Sequence, residues 1–533
     1  MILTAPFAGL TAAIVLLSGI PALAAPTTVY AAGAGGVYRS TDGGSSWTNL
    51  TSAFTPLSLA IDPSNSDVIY AGVYDAVYKT TNGGTTWTKE TNGLSTAALI
   101  DTIVIDPSNP NTIYAGGGQF AGGGVFKSID GGVNWTQMDS GLVVSMGGIP
   151  SVLALALDPL STNTLYVGGN TGLQAGKTTN GAASWTPLTV PFGFVLGIAI
   201  HPVNDSIVFT AGPFLLNKSI NGGTTWTSPL SGFTQSIAID PNTPSTMYAD
   251  GSVGTSCTPL CATQTNTVYK STDTGDTWSV AGALPSVNVG YVQTGPLVID
   301  PGDTSTLYLG GDTGVSKSTD GGVTWTLVMP STGINAIAMA PPTPPSSGTS
   351  CNGTYGGTFT GNLTISPGEN CTFMSGAVTG NVKLNGGNLT LLNSQVGGNV
   401  QVNGGGTFTI GPGSTIGGNL QIKNLPSGAA TNQVCGTTVQ GDLQFQNNAS
   451  AVLIGSASPP CAGNTIGGNL QVQNNTASLT IYGNTVMGNL QVQNNTGTTL
   501  LSNNNVTKNL QCGNNSSITG SGNSAGKNQG CPP

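Results

Sequence analysis

The octet "STDGGSSW" (residues 40–47) returns as "TTNGGTTW" (80–87), "SIDGGVNW" (128–135), "TTNGAASW" (178–185), "SINGGTTW" (219–226), "STDTGDTW" (271–278) and "STDGGVTW" (318–325). Its closing residues, Trp47, Trp87, Trp135, Trp185, Trp226, Trp278 and Trp325, are all seven tryptophans of the chain, spaced 40 to 52 residues apart. That is the period of a propeller blade. Gly-Gly supplies the positive φ of a tight hairpin. Asp42, Asn82, Asp130, Asn180, Asn221, Asp273 and Asp320 cap the turn through its own backbone. The tryptophan then enters the next strand and packs between blades. A second repeat, such as "IVIDPSNPNTIYAG" (103–116) and "LVIDPGDTSTLYLGG" (297–311), precedes the octets. Each unit therefore holds four short strands, A to D, with proline ending strand A.

The two ends of this region fit one another. The first unit opens at "TTVYAAG" (27–33) without a strand A, and an extra strand A, "GINAIAMA" (333–340), follows the last octet. Joined in one blade they close the ring and remove its sheet edges. The expectation is an all-β fold, a seven-bladed β-propeller over 27–341. The turn role accounts for the octet acids and for Asp62, Asp106, Asp158, Asp240 and Asp300 before proline. His201 takes the same slot in its unit and is read as a turn residue.

Ser/Thr-x-Asp/Asn-x-Gly-x-x-Trp resembles the Asp-box, or BNR, repeat. That resemblance implies that the octets lie on the face away from any ligand, with the B–C and D–A loops on the other. It brings sialidases to mind first, but those enzymes grip a substrate carboxylate with three arginines, and Arg39 is the only arginine. The sialidase reading is rejected. Blade grammar such as "VYAAGAGGVYRS" (29–40) is closer to xyloglucanases. The resemblance implies for them two propellers facing across a cleft and two catalytic carboxylates, separated by roughly 5 to 9.5 Å according to stereochemical outcome. Their aspartate ahead of Gly-Gly falls on Gly33 here, and Asp312 in "GGDTGV" is a partial substitute. Photosystem assembly factors and sortilin-type receptors resemble the ring without being enzymes. The former carry arginine-rich surfaces absent here, and the latter have ten blades.

Beyond a Pro/Ser linker (342–350) the period shortens. "GNLTI" (361), "GNVKL" (380), "GNVQV" (398), "GNLQI" (418), "GDLQF" (441), "GNLQV" (468), "GNLQV" (488) and "KNLQC" (508) recur every 18 to 27 residues. Alternating Leu/Val with corner Gly and Asn predicts a β-solenoid of about eight coils over 351–533. It resembles secreted bacterial β-helix proteins and, more distantly, bactofilins. Cysteine spacings match coil lengths, which pairs Cys351–Cys371, Cys435–Cys461 and Cys512–Cys531, with Cys257–Cys261 closing a loop inside the propeller.

Residues 1–24 read as a secretory signal ending in Ala22-Leu23-Ala24, although the usual basic residue before the apolar run is missing. No later stretch is apolar enough to span a membrane. Eight cysteines fit an exported, oxidised protein. A net charge of −9 with charged residues at 6% argues against nucleic acid. One histidine and paired cysteines give no metal spacing, and no cofactor motif is present.

The expected function is therefore a secreted or cell-surface, non-catalytic protein presenting a propeller face to glycan or protein. Phe120, Phe192, Phe194, Phe233 and Tyr291 are its stacking candidates. Exposed Phe54 belongs with them, and packing between blades is the competing role for each aromatic. The alternative is a polysaccharide hydrolase of xyloglucanase type using Asp101 and Asp312. Terminal solenoid coils offer a route to self-assembly.

Overall fold

The computed structural model describes residues 28–532, apart from 96–97, 119–122, 145–149, 170–172, 174, 254–264, 285–295, 332, 341–350, 352, 375, 429–431 and 457–460. Every regular element among the described residues is a β-strand, and no helix is long and apolar enough to cross a membrane. Seven four-stranded antiparallel sheets come first. Their A strands are Ile334–Met339, Ser58–Asp62, Ile100–Ile105, Val152–Leu157, Gly197–Ile200, Ile237–Ile239 and Leu297–Ile299, blades I to VII in ring order. Each A strand touches the next, and the last touches the first, around a central axis.

The ring closes in blade I. Val29–Gly33 pairs with Gly36–Ser40 on one side and with Ile334–Met339 on the other, Val29 opposite Met339 and Ala32 opposite Ala336. Residues about 300 positions apart thus share one sheet, and the propeller has no free edge strand at its seam.

Each octet folds as one capped hairpin. Asp42 accepts from the Ser46 amide at 2.8 Å and from the Ser46 hydroxyl at 2.6 Å, while the Gly44 amide donates to Ser40 Oγ at 2.7 Å. These bonds hold the exposed Asp42, Asp130 and Asp320 carboxyls down to about 2. In the Asp-Pro turns, Asp62, Asp106, Asp158, Asp240 and Asp300 each accept the amide two residues on at 2.8 Å. His201 does the same job through Nδ1, which accepts from the Val203 amide at 3.4 Å. Burial and nearby Lys218 push its imidazole below its usual value, which keeps Nδ1 an acceptor.

Blades are joined by a contact that repeats around the ring. The tryptophan of one blade packs on strands B and C of the blade before it: Trp135 lies with Tyr70 and Val77, and Trp185 with Tyr114 and Val125. Beside it, a strand-C cation and a strand-B aromatic hold the next octet. Tyr70 Oη and Lys79 Nζ donate to the Gly131 carbonyl at 3.0 and 2.8 Å. Tyr166 and Lys177 hold Gly222 O at 3.2 and 3.3 Å. Tyr308 and Lys317 hold Gly43 O across the seam at 2.7 and 2.6 Å. In blade V, Phe209 has no hydroxyl, and Lys218 instead pairs with Asp276 of the following octet at 2.7 Å.

The solenoid stacks three short strands per coil in parallel register. Leu420–Lys423, Leu443–Gln446, Leu470–Gln473 and Leu490–Gln493 lie directly above one another, and inward Leu, Val, Ile and Phe fill one continuous core. Eight motif-bearing rungs are followed by a final strand, Ser524–Gln529. Disulfides link neighbouring rungs at Cys351–Cys371, Cys435–Cys461 and Cys512–Cys531. At the corners the first Asn of each "QNN" takes positive φ, as at Asn447, Asn474 and Asn494. The second is buried in an amide ladder, Asn448 to Asn475 to Asn495 to Asn515, with steps of 2.9, 2.8 and 3.0 Å.

The solenoid meets the propeller on the Asp-Pro side. Thr354 Oγ1 donates to Asn242 Oδ1 at 2.6 Å, and Asn393 Nδ2 to the Pro159 carbonyl at 2.6 Å. Leu160 and Val203 face Leu392, Pro412 and the Cys435–Cys461 bridge across a small gap. The B–C and D–A loops are on the opposite side of the ring.

The seam contact is testable. Tyr308→Phe should lower ring stability by about 1 kcal/mol. Combining it with Lys317→Met should give less than or more than the sum, because both donors share one carbonyl. Urea midpoints of the single and double variants measure this; strict additivity would mean the two bonds are independent.

Candidate functional site

On the loop face, most acidic side chains are committed to structure. Asp75 pairs with Lys89 at 2.9 Å. Asp139 accepts from the Val125 amide and Gln137 Nε2, each at 2.7 Å, which closes the end of blade III. Asp250 accepts the Gln235 and Ser236 amides at 3.0 and 2.6 Å at the entry to blade VI.

Asp101 is different. In blade III, Ile100 pairs with Gly117 and Thr102 with Gly116, so Asp101 is the extra residue of a β-bulge. Bulges re-aim a side chain and collect beside active sites. Its Oδ2 is shielded from solvent without a hydrogen-bond partner among the described residues. Burial raises the carboxyl to about 7, against a backbone hydrogen bond from Gly118. A carboxylic acid still protonated near neutral pH is suited to donating a proton.

Asp312 lies at the exposed tip of the hairpin between Leu307–Gly311 and Gly314–Ser318 in blade VII. From blade III the way to blade VII runs through II and I, three steps around the ring. The structure does not place Asp101 and Asp312 on one blade or on adjacent blades.

Of the aromatic candidates, Phe192 is 70% exposed and takes φ of 60°, a conformation bulky side chains rarely adopt. Its ring lies 5.8 Å from that of Phe214, itself 55% exposed, at 47°. The two form an apolar patch beside blade V. Phe194 and Phe233 are half-buried; Phe120, Tyr291 and the Cys257–Cys261 pair lie outside the described residues. Phe54 is an inter-blade residue, stacked on Tyr78 at 4.0 Å and edge-on to Trp87 at 5.5 Å.

Sequence reasoning missed Phe214 and Tyr74, both exposed next to a B–C turn. Their signal was a single aromatic at a hairpin tip, "GPF" (212–214) and "VYD" (73–75). Among the described residues no cluster of three metal-ligating side chains exists. Arg39 donates to the Gly83 carbonyl at 3.3 Å, a blade contact rather than a ligand grip.

An oligoxyloglucan-reducing end-specific xyloglucanase of Emericella nidulans is 28% identical over 216 residues, 36% of this chain and 24% of that protein. A xyloglucanase of Hypocrea jecorina is 28% identical over 156 residues, 26% of this chain and 18% of that one. The chain thus spans about a quarter or less of these relatives. No family profile matches it.

Among solved structures, a Niastella koreensis GH74 enzyme aligns at 20% identity and a TM-score of 0.46, over 57% of this chain and 53% of that one. YCF48 bound to D1 peptide aligns at 17% and 0.37, over 51% and 82%.

The Asp101 carboxyl sets a pH signature. An unfolded aspartate titrates at about 3.9, whereas the folded one holds its proton to about 7. Between these values the native state binds the extra proton, so stability falls as pH rises. Asp101→Asn should therefore raise the melting temperature at pH 8 relative to the parent and change little at pH 4. A melting series across that range checks it; a constant offset would remove the raised carboxyl.

Proposed function

We propose that the chain is an extracellular glycan-active protein whose loop face engages a xyloglucan-type polysaccharide, with Asp101 as the proton donor of a hydrolytic site. The observation carrying this reading is the buried, bulge-held Asp101 carboxyl, raised to about 7 on the face away from the solenoid. Sequence similarity to two xyloglucanases supports the substrate class. Three inter-rung disulfides support an oxidising compartment. In this role Asp101 gives its proton to the glycosidic oxygen as the C1–O bond breaks, and a second carboxylate activates water or attacks the anomeric carbon. Asp312, exposed at the tip of its hairpin, is the candidate for that second role.

A second reading, retention of the glycan without cleavage, draws on the separation of Asp101 and Asp312 by three blade steps. Phe192 and Phe214 would serve there as a stacking surface for sugar rings.

The two readings separate in one assay. The full chain is incubated with xyloglucan, an unbranched β-glucan and an α-glucan, and scored for retention and for new reducing ends. Reducing ends from xyloglucan, lowered at least about 100-fold by Asp101→Asn with retention unchanged, support hydrolysis. Retention without reducing ends supports the binding reading. Neither retention nor release overturns both.

A further inference from the structure

Asp101 is one of three residues placed by the same local device. In blade I, Gly33 pairs with Ile334 and Ala32 with Ala336, leaving Asn335 as the extra residue. In blade IV, Val152 pairs with Gly169 and Ala154 with Gly168, leaving Leu153. Each bulge opposes a glycine that ends strand B. A Cβ on Gly33, Gly117 or Gly169 would come within 1.8 Å of the carbonyl oxygen of Gly333, Leu99 or Ser151. That carbonyl lies two residues before the extra residue in every case, so the kinked backbone fills the space a side chain would need. Blade II has Val73 at the matching place, and its strand A runs Ser58, Leu59, Ala60 against Gly72, Ala71, Tyr70 with no residue skipped there.

Strand A starts on the loop face and runs toward the Asp-Pro turns, so all three extra residues sit at the loop-side mouth of the ring. They differ in chemistry: a carboxyl on blade III, a carboxamide on blade I and an apolar side chain on blade IV. Asn335 is exposed. Its Nδ2 donates to the Pro56 carbonyl at 2.9 Å, which fixes the amide plane. Oδ1 is left as an acceptor with no partner among the described residues.

The geometry points to Asn335 as a second ligand-contacting residue of the Asp101 site, its Oδ1 accepting a hydrogen bond from a sugar hydroxyl. This rests on the glycan reading and deepens it. Blades I and III flank blade II, so a ligand touching both residues bridges one intervening blade. The mouth is therefore fitted to an oligosaccharide, with Leu153 offering an apolar surface to the C–H face of a sugar ring.

The test uses the full chain, a xyloglucan oligosaccharide as probe and glucose as its monosaccharide control. Affinity is measured by calorimetry beside melting temperature for the parent, Asn335→Leu and Asn335→Asp. Both variants lose the bond to Pro56, so a purely structural role would weaken both together, in step with melting temperature. The expected result is that Asn335→Leu weakens oligosaccharide binding about tenfold while Asn335→Asp, which keeps an acceptor, stays within about threefold. Unchanged affinity in Asn335→Leu, or equal loss in both variants, overturns the role of Asn335 and leaves the glycan reading standing. A parent chain without affinity for the oligosaccharide overturns the glycan reading and this inference together.

Discussion

The propeller depends on how each blade seizes the turn of the next. A hairpin of Gly-Gly type exposes a carbonyl that its own blade cannot satisfy. The preceding blade supplies a tyrosine hydroxyl and a lysine ammonium to it, as Tyr70 and Lys79 do for Gly131. The ammonium also lies over the aromatic face, 5.1 to 5.4 Å from the centroid where that ring is tyrosine, so one cation serves a hydrogen bond and a ring quadrupole at once. The same turn places the tryptophan that seals the blade interface. A propeller has no central core shared by all its sheets; its integrity is the sum of such neighbour contacts, and the seam at Gly43 must be as good as the rest.

Blade V shows that the constraint acts on the pair of blades rather than on the octet alone. Phe209 cannot donate a hydrogen bond, and the octet it faces reads Thr-Gly-Asp where five of the others read Gly-Gly-x and one reads Gly-Ala-Ala. Asp276 reaches the buried Lys218 and replaces the missing interaction with charge. An unpartnered ammonium at 5% exposure would be strongly disfavoured, so the two departures from the pattern explain each other. The solenoid solves its own version of this problem with amides. Buried Asn side chains donate both to the next Asn and to a strand carbonyl, as Asn475 does to Asn495 and to Phe445 O, which makes a polar interior affordable without any charge.

Much of this was legible before any coordinates. The absent first strand at Val29 and the surplus strand at Ile334 defined the closure, because a propeller repeats one unit and its ends must match. Cysteine spacing equal to coil length gave the rung staples. The inter-blade clamp was equally present in the text, since Arg39, Lys79, Lys127, Lys177, Lys218, Lys270 and Lys317 each stand immediately ahead of an octet. It went unread because a cation beside a turn looks like a solvated surface residue until the neighbouring blade is in place. The bulges were harder still. A glycine at the end of "AAG" or "YAGG" reads as turn flexibility, whereas its role at Gly33 and Gly117 is to clear a path for a carbonyl of another segment. Nothing local distinguishes Asp101 from any other aspartate near a strand start; register with Gly117 does.

Charge economy then decides where chemistry can sit. The chain has 12 cations, and seven of them precede octets, where they belong to the blade contacts. Octet and Asp-Pro acids are consumed by their own turns, and Asp75, Asp139 and Asp250 by loop closures. The solenoid packs on the turn side through Thr354 and Asn393, while Asp101 and Asp312 lie on the loop side. A ligand bearing formal charge would find almost nothing complementary there. Neutral, hydroxyl-rich chains would find an exposed amide, an apolar side chain, two exposed phenyl rings tilted against one another and one carboxyl poised to hold its proton. The low charge of this face follows from a fold that places most of its cations at the joints between blades.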